Sequence, residues 1–253
     1  MAARKNKRGR RRNRGRFSFL YVLLSFFLIA AALLAGSFVF FRADSITVEG
    51  NQRYTSQEII DAAQVKQGDN LFRINRPRAV NRILSALPYI RDVSILPALP
   101  NRLVISVTES QPTASIQGAQ GWFLMDARGK LLEQGGESLQ RKAAPVSGIT
   151  PLTPTVGTWL AVDQAEQTKL TALVSLMSAL EAHELSQNLL FVDLTASNII
   201  SFRYTSRFTV EMPLSCDFDY KVRSLQYVVE HLEENETGLI DLTRDGKNRF
   251  IPD

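Results

Sequence analysis

Asp44-Ser45-Ile46-Thr47-Val48-Glu49-Gly50-Asn51 governs the reading of this chain. Ile46 and Val48 alternate with polar neighbours, which makes a half-buried strand, and Gly50-Asn51 stops it. Thr55-Ser56-Gln57-Glu58 then spells a capping box, in which the Thr55 hydroxyl and the Glu58 carboxylate satisfy free amides at a helix start. Ile59, Ile60 and Ala63 are the expected buried face of that short helix. Gly68-Asp69-Asn70 breaks it, and Leu71 and Phe72 follow as apolar anchors. A second helix is expected from about Asn75, with Pro77 tolerated because it lies in the first turn. Val80, Ile83, Leu84 and Leu87 form one stripe at helical spacing, and Pro88 ends it. Val93 and Ile95 read as a strand, Pro97 to Asn101 as a turn, and Leu103, Ile105 and Val107 alternate strictly with polar positions. The order is β-α-α-β-β: a small sheet with two helices on one face.

Upstream, Phe17 to Phe41 is free of charge and apolar. At 1.5 Å per residue such a helix is long enough for a hydrocarbon core of about 30 Å. Arg4, Lys5, Lys7, Arg8, Arg10, Arg11, Arg12, Arg14 and Arg16 precede it without an acidic residue among them. Basic flanks stay inside, so residues 1–16 read as a cytoplasmic tail, 17–41 as a transmembrane helix, and the chain beyond Arg42 as extracytoplasmic. A cleaved secretory signal also begins with basic residues, and Ala30-Ala31-Ala32 resembles a cleavage site. Signal cores are only about 7–15 residues long, however, and Leu33 to Phe41 continues the apolar run. The tail needs no nucleic-acid partner, since attraction to anionic lipid accounts for it.

The net charge of +5 belongs to this tail: without its nine basic residues, 21 Lys and Arg face 25 Asp and Glu. That is an ordinary surface with no polybasic footprint. The 212 residues after Phe41 suffice for one large domain or two small ones. Cys216 is the only cysteine, so no intramolecular disulfide forms, and an exported chain held by its core alone suits a bacterium.

Beyond the first unit, Thr113 to Ile116 and Trp122 to Met125 read as strands, the latter turning at Asp126 to Gly129 into Lys130-Leu131-Leu132. Gln134 to Ala144 lacks periodicity and reads as a loop. Asp163 and Glu166 are candidate caps for a helix whose stripe is Leu170, Leu173, Val174, Met177 and Leu180. Phe191 to Leu194, Ile199 to Arg203 and Phe208 to Met212 read as strands. Val222, Leu225, Val229 and Leu232 mark a further helix ending near Asn235. A terminal hairpin closes the sequence, Leu239 to Arg244 turning through Asp245-Gly246 into Asn248 to Ile251. Asp-Gly suits a type I′ turn, which needs positive φ at both central residues.

No catalytic constellation is spelled out. His183 and His231, the only histidines, have no second ligand at helical spacing, and there is no second cysteine to join Cys216, so no metal or cofactor is expected. Nucleophile elbows, Ser-x-x-Lys and phosphate-binding glycine loops are absent. Asp217-Phe218-Asp219 sets two carboxylates close together, but a solvated helix start explains them. The two histidines read as surface residues at helix ends. A binding protein, not an enzyme, is the expectation. A terminal strand with an unpaired edge can accept a partner strand, and Gly238 to Arg244 is the candidate.

Ile46 to Asn51, Gly68-Asp69-Asn70-Leu71-Phe72, Leu87-Pro88-Tyr89-Ile90, Pro100-Asn101-Arg102-Leu103 and Val107-Thr108-Glu109 together resemble the POTRA domain of the FtsQ family, called DivIB in Gram-positive bacteria. Pro112, Ala114, Leu124 to Lys130, Pro145-Val146-Ser147-Gly148 and Asp241-Leu242 resemble that family's second, β-rich domain. Leu99 departs from the pattern, in which an aromatic residue often precedes the proline. The resemblance implies an α+β, single-pass division protein with an extracytoplasmic POTRA domain over 42–110 and a mixed β-sheet domain with helices over 111–253. It implies partners of the FtsB/DivIC and FtsL types, with a septal peptidoglycan synthase as a further candidate, and a place at the division septum. It also implies that Leu239, Ile240, Asp241, Leu242, Thr243 and Arg244, flanked by Arg249 and Phe250, bind the FtsB-type partner. The rival readings are a POTRA module for protein assembly or secretion, and an accessory of a cell-wall enzyme.

Overall fold

The computed structural model describes the backbone of residues 15–244, 246 and 248–253, and the side chains of 19–33, 36, 41–244, 246 and 248–253. The basic residues 1–14 and Asp245 of the expected type I′ turn lie outside the described residues. Helix α1 runs Gly15–Phe40. Among the described residues no helix is long and apolar enough to cross a membrane; in α1 the described side chains cover only 19–33 and Gly36.

The first unit comprises β1 (Ser45–Glu49), α2 (Ser56–Ala63), α3 (Arg76–Ala86), β2 (Ile90–Ala98) and β3 (Arg102–Glu109). The sheet order is β1-β3-β2, with β1 parallel and β2 antiparallel to the central strand. Register sets Ile46 beside Leu103 and Val48 beside Ile105. Leu103, Ile105 and Val107 are buried, as strict alternation requires of a sheet covered on one face. The capping box is formed in both directions: Thr55 Oγ1 accepts from the Glu58 amide, and Glu58 Oε2 accepts from the Thr55 amide at 2.8 Å. Asn75 caps α3 through the Arg78 amide.

One expectation is corrected here. Ala79 and Ile83 are the enclosed residues of α3, while Val80, Leu84 and Leu87 pack against the core but are only partly buried. A helix on a three-stranded sheet covers a narrow strip, so one side-chain column is enclosed and its neighbours stay at the margin.

The second unit comprises β4 (Ala114–Gly118), β5 (Gly121–Met125), β6 (Leu131–Gly135), β7 (Ala144–Ser147), α4 (Gln167–Ala182), β8 (Leu189–Asp193), β9 (Ile199–Tyr204), β10 (Phe208–Pro213), α5 (Phe218–His231), β11 (Gly238–Asp241) and β12 (Arg249–Pro252). Its nine strands form one mixed sheet in the order β12-β11-β10-β9-β8-β7-β4-β5-β6. Leu173, Leu176, Met177 and Leu180 of α4 and Val222 and Leu225 of α5 share a core with Ile200, Phe202, Phe208, Val210 and Ile240 of the sheet.

Residues 134–144 are not a simple loop. They hold the end of β6, a 3-10 turn over Glu137–Arg141 and the start of β7. Neither Asp163 nor Glu166 caps α4 with its side chain; Glu166 Oε2 instead accepts from the Thr150 amide at 2.8 Å. Helix α5 ends at His231, short of Asn235.

The two units meet at the β5–β6 end of the larger sheet. Tyr89 packs with Leu124, Leu132 and Leu139, on the sheet face opposite Phe123 and Met125, which belong to the helix-covered core. The Tyr89 hydroxyl donates to Glu133 Oε2 at 2.6 Å. Arg53 stacks over the Tyr89 ring at 3.9 Å and pairs with Glu133 at 3.2 Å. Lys130, buried in the joint, donates to the Ile90 carbonyl at 3.0 Å. Ser110 donates to Asp126 at 2.7 Å. Burial pushes the Lys130 ammonium pKa down against the opposing pull of Asp126.

Candidate interaction surface

The terminal hairpin forms, but its place in the sheet differs from the sequence expectation. Segment Leu239 to Arg244 is not an edge. Strand β11 lies between β10, which it joins in parallel, and β12, which it joins antiparallel. Among the described residues the edge is β12, and of the candidate residues only Arg249 and Phe250 lie on it. Ile240 and Leu242 are fully buried, Leu239, Asp241 and Thr243 are half-buried, and Arg244 is exposed.

The reason is a strand–helix–strand crossover. Parallel neighbours need a long connection, usually a helix, and α5 supplies it between β10 and β11. That order, 208–213, 218–231, 238–241, was the signal that could have placed β11 inside the sheet and β12 outside it.

Local chemistry fixes the hairpin. Gly238 has φ +154°, and a Cβ there would stand 2.2 Å from the Ile251 carbonyl oxygen, so the close approach of the two strands requires glycine. Asp241 Oδ1 accepts from the Thr243 hydroxyl at 2.6 Å and its amide at 2.9 Å, closing the turn after β11. These bonds, the hydroxyl first, hold the Asp241 carboxyl below the usual carboxylate range. Lys221 of α5 is buried and donates to the Arg244 carbonyl at 2.9 Å. Phe250 meets Phe208 edge to face, with centroids 6.1 Å apart. The Arg207 guanidinium covers Phe208 at 4.6 Å and donates to the Glu236 carbonyl at 3.0 Å and to that of Glu233.

Backbone alternation shows what the edge offers. The Asp253 amide donates to the Thr237 carbonyl at 3.1 Å. In the register that pairs Ile251 with Leu239 and Arg249 with Asp241, those residues therefore bond inward. The Phe250 amide and carbonyl point away from the sheet, and Pro252 has no amide to give. At the opposite end the Leu131 amide donates to Thr158 and its carbonyl accepts from Gly157, at 2.9 and 2.7 Å, so the first residue of β6 is covered.

Asp217 and Asp219 stand at the start of α5. Asp217 caps it by accepting from the Tyr220 amide at 3.0 Å. Asp219 contacts His183 Nε2 at 2.8 Å and Arg223 at 3.0 Å, and these partners, His183 first, hold its carboxyl low. His183 is thus tied to the α5 start and is not a free surface residue. His231 is exposed, with Nδ1 2.7 Å from the Tyr227 carbonyl oxygen. Among the described residues no group of three or more His, Cys, Asp or Glu could hold a metal ion.

Residues 41–110 match the family model described as POTRA domain, FtsQ-type. The cell division protein DivIB of Clostridium botulinum (strain Loch Maree / Type A3) is 24% identical over 243 residues, 95% of this chain and 93% of that protein. The chain is similar to FtsQ/DivIB proteins over nearly its whole length. Cell division protein FtsQ of Geotalea daltonii is 31% identical over 118 residues, 47% of this chain and 42% of its own length. DivIB of Clostridium acetobutylicum is 29% identical over 164 residues, 65% of this chain and 63% of that protein. Similarity to proteins named DivIB and FtsQ supports a role in cell division, and the α+β architecture is a POTRA unit followed by a mixed sheet with helices.

Proposed function

We propose that this chain is a single-pass, non-enzymatic scaffold of the division machinery, with a POTRA domain over 42–110 and a partner-binding domain over 111–253. It captures an FtsB/DivIC-type partner outside the membrane, in a complex with an FtsL-type protein, and so helps control septal peptidoglycan synthesis at the division septum. The terminal hairpin is the capture site: a partner strand lies along β12, bonded through Phe250 and flanked by Arg249, while Leu239 to Arg244 hold that edge in place. The observation that carries this reading is the open edge of β12.

The membrane part rests on α1. Leu23, Phe26, Phe27, Ile29 and Leu33 are all exposed, so the described portion is apolar all round and no other described residue covers it. Such a helix in an otherwise folded protein needs an apolar solvent. Basic residues before Phe17 put the amino terminus in the cytoplasm.

The test is capture of the purified FtsB/DivIC-type partner by the full chain held in nanodiscs, with a melting curve for each variant. Phe250→Pro removes the outward amide and should abolish capture, whereas Phe250→Leu, which keeps the amide, should retain it. Undiminished capture by a folded Phe250→Pro chain would exclude the β12 edge.

A further inference from the structure

The POTRA unit carries a second surface, beside the end of α1. Between Asp69 and Asp92 the sequence contains no acidic residue but holds Arg73, Arg76, Arg78, Arg82 and Arg91. Arg42, Arg73, Arg78 and Arg82 line one open cleft of about 580 Å³ between the start of the unit and α3. All four are exposed. The one acidic residue in the lining, Asp69, turns its carboxylate to the Lys66 amide at 2.9 Å.

Backbone bonds fasten this cleft to the place where the chain leaves α1. The Leu71 amide donates to the Phe41 carbonyl and the Ala43 amide to the Asp69 carbonyl, at 2.9 and 2.8 Å, and Arg42 and Asn70 form a bridge. Leu71 is fully buried and anchors the loop from below. Phe72, next to it, is 58% exposed and meets Phe41 edge to face at 5.1 Å. An aromatic pair whose outer member, Phe72, is exposed is thus set beside a row of guanidinium groups, within a few residues of the helix end.

We infer that this face docks on the membrane itself, with Phe72 entering the headgroup boundary and Arg42, Arg73, Arg78 and Arg82 receiving the phosphodiesters of anionic phospholipids. The inference rests on the reading of α1 as a membrane span. A headgroup layer is about 5–7 Å deep on each side of the hydrocarbon, so a loop bonded to residues 41–43 falls within it. Aromatic rings favour that boundary, guanidinium forks suit phosphate oxygens, and each basic residue near an anionic surface is worth about fivefold in partition. Docking holds the POTRA unit against the bilayer and fixes the direction in which the larger sheet projects.

The experiment uses the full chain in vesicles of phosphatidylcholine with or without phosphatidylglycerol, and Phe72→Trp as reporter with the parent chain as background. Brominated lipid should quench the added indole in anionic vesicles, and the quenching should fall to background in Arg73→Glu/Arg78→Glu/Arg82→Glu. Arg78→Gln/Arg82→Gln, a milder change, should fall part of the way, and melting curves report the folding of each. Protease digestion of the same vesicles reads the span separately. A protected α1 fragment without quenching overturns the docking and leaves the span standing. Quenching without protection overturns the span and leaves the docking standing. Equal quenching in neutral vesicles or in the charge-reversed chain overturns the anionic-lipid assignment.

Discussion

Tyr89 and Glu133 are joined across the two units by a hydrogen bond of 2.6 Å, with Arg53 stacked on the same ring. Burial, and then the bond to Glu133, push the Tyr89 hydroxyl pKa far up, while that bond holds the Glu133 carboxyl down. A depressed carboxyl contributes stability above its ordinary value of 4.5 and loses it as pH falls through the folded value. Tyr89→Phe should cost about 1–3 kcal/mol. Melting curves below pH 5 should show a weaker acid dependence in Glu133→Gln than in the parent. An unchanged acid slope would remove Glu133 from the joint's stability.

Burial ranks the α3 positions. Ile83→Ala empties a fully enclosed site and should cost about 2–5 kcal/mol, Leu84→Ala distinctly less, and exposed Arg82→Ala close to nothing. Denaturant midpoints of the three variants check the order. Equal losses at Ile83 and Leu84 would mean that the helix is rotated from the position described.

Gly238→Ala places a Cβ 2.2 Å from the Ile251 carbonyl oxygen, and the hairpin must open to admit it. The expected cost is about 1–3 kcal/mol. Hydrogen exchange should quicken at the Leu239 and Ile251 amides, which face each other, while the β9 amides keep their protection. Partner capture should fall with it. Unaltered exchange at both amides would contradict the register.

Removing the α5 cap separates stability from binding. Asp217→Ala should cost about 0.5–2 kcal/mol through the lost bond to the Tyr220 amide. Asp219→Asn should weaken the contacts to His183 and Arg223. Both variants should capture the partner as the parent does, measured at a temperature where each is folded. Loss of capture in folded Asp219→Asn would bring the α5 start into the binding surface.

Local chemistry made the POTRA unit legible. The Thr55–Glu58 box, the Asn75 cap and the alternation of Leu103, Ile105 and Val107 each depend on residues a few positions apart, and all three stand in the structure. Long-range pairing hid the rest. Ala144-Pro145-Val146-Ser147 has no strand signature of its own and becomes β7 because β4 and β8 lie on either side in parallel. Likewise the residues of the hairpin were readable, but not which of its strands meets the body of the sheet. That depends on β10, some thirty residues earlier, and on the crossover through α5. The basic cleft was missed because Arg42 and Arg73–Arg82 become neighbours only when the 68–73 loop bonds to residues 41–43.

The two ends of the larger sheet differ in how they would meet a second copy. At β6 the first residue, Leu131, has its amide and carbonyl taken by Thr158 and Gly157, so a strand arriving there meets an interrupted ladder. At β12 the outward groups of Phe250 are followed by Pro252, which has no amide to give. Two copies meeting β12 against β12 would make a closed pair in which each contributes a proline in place of a donor, and a closed pair does not propagate.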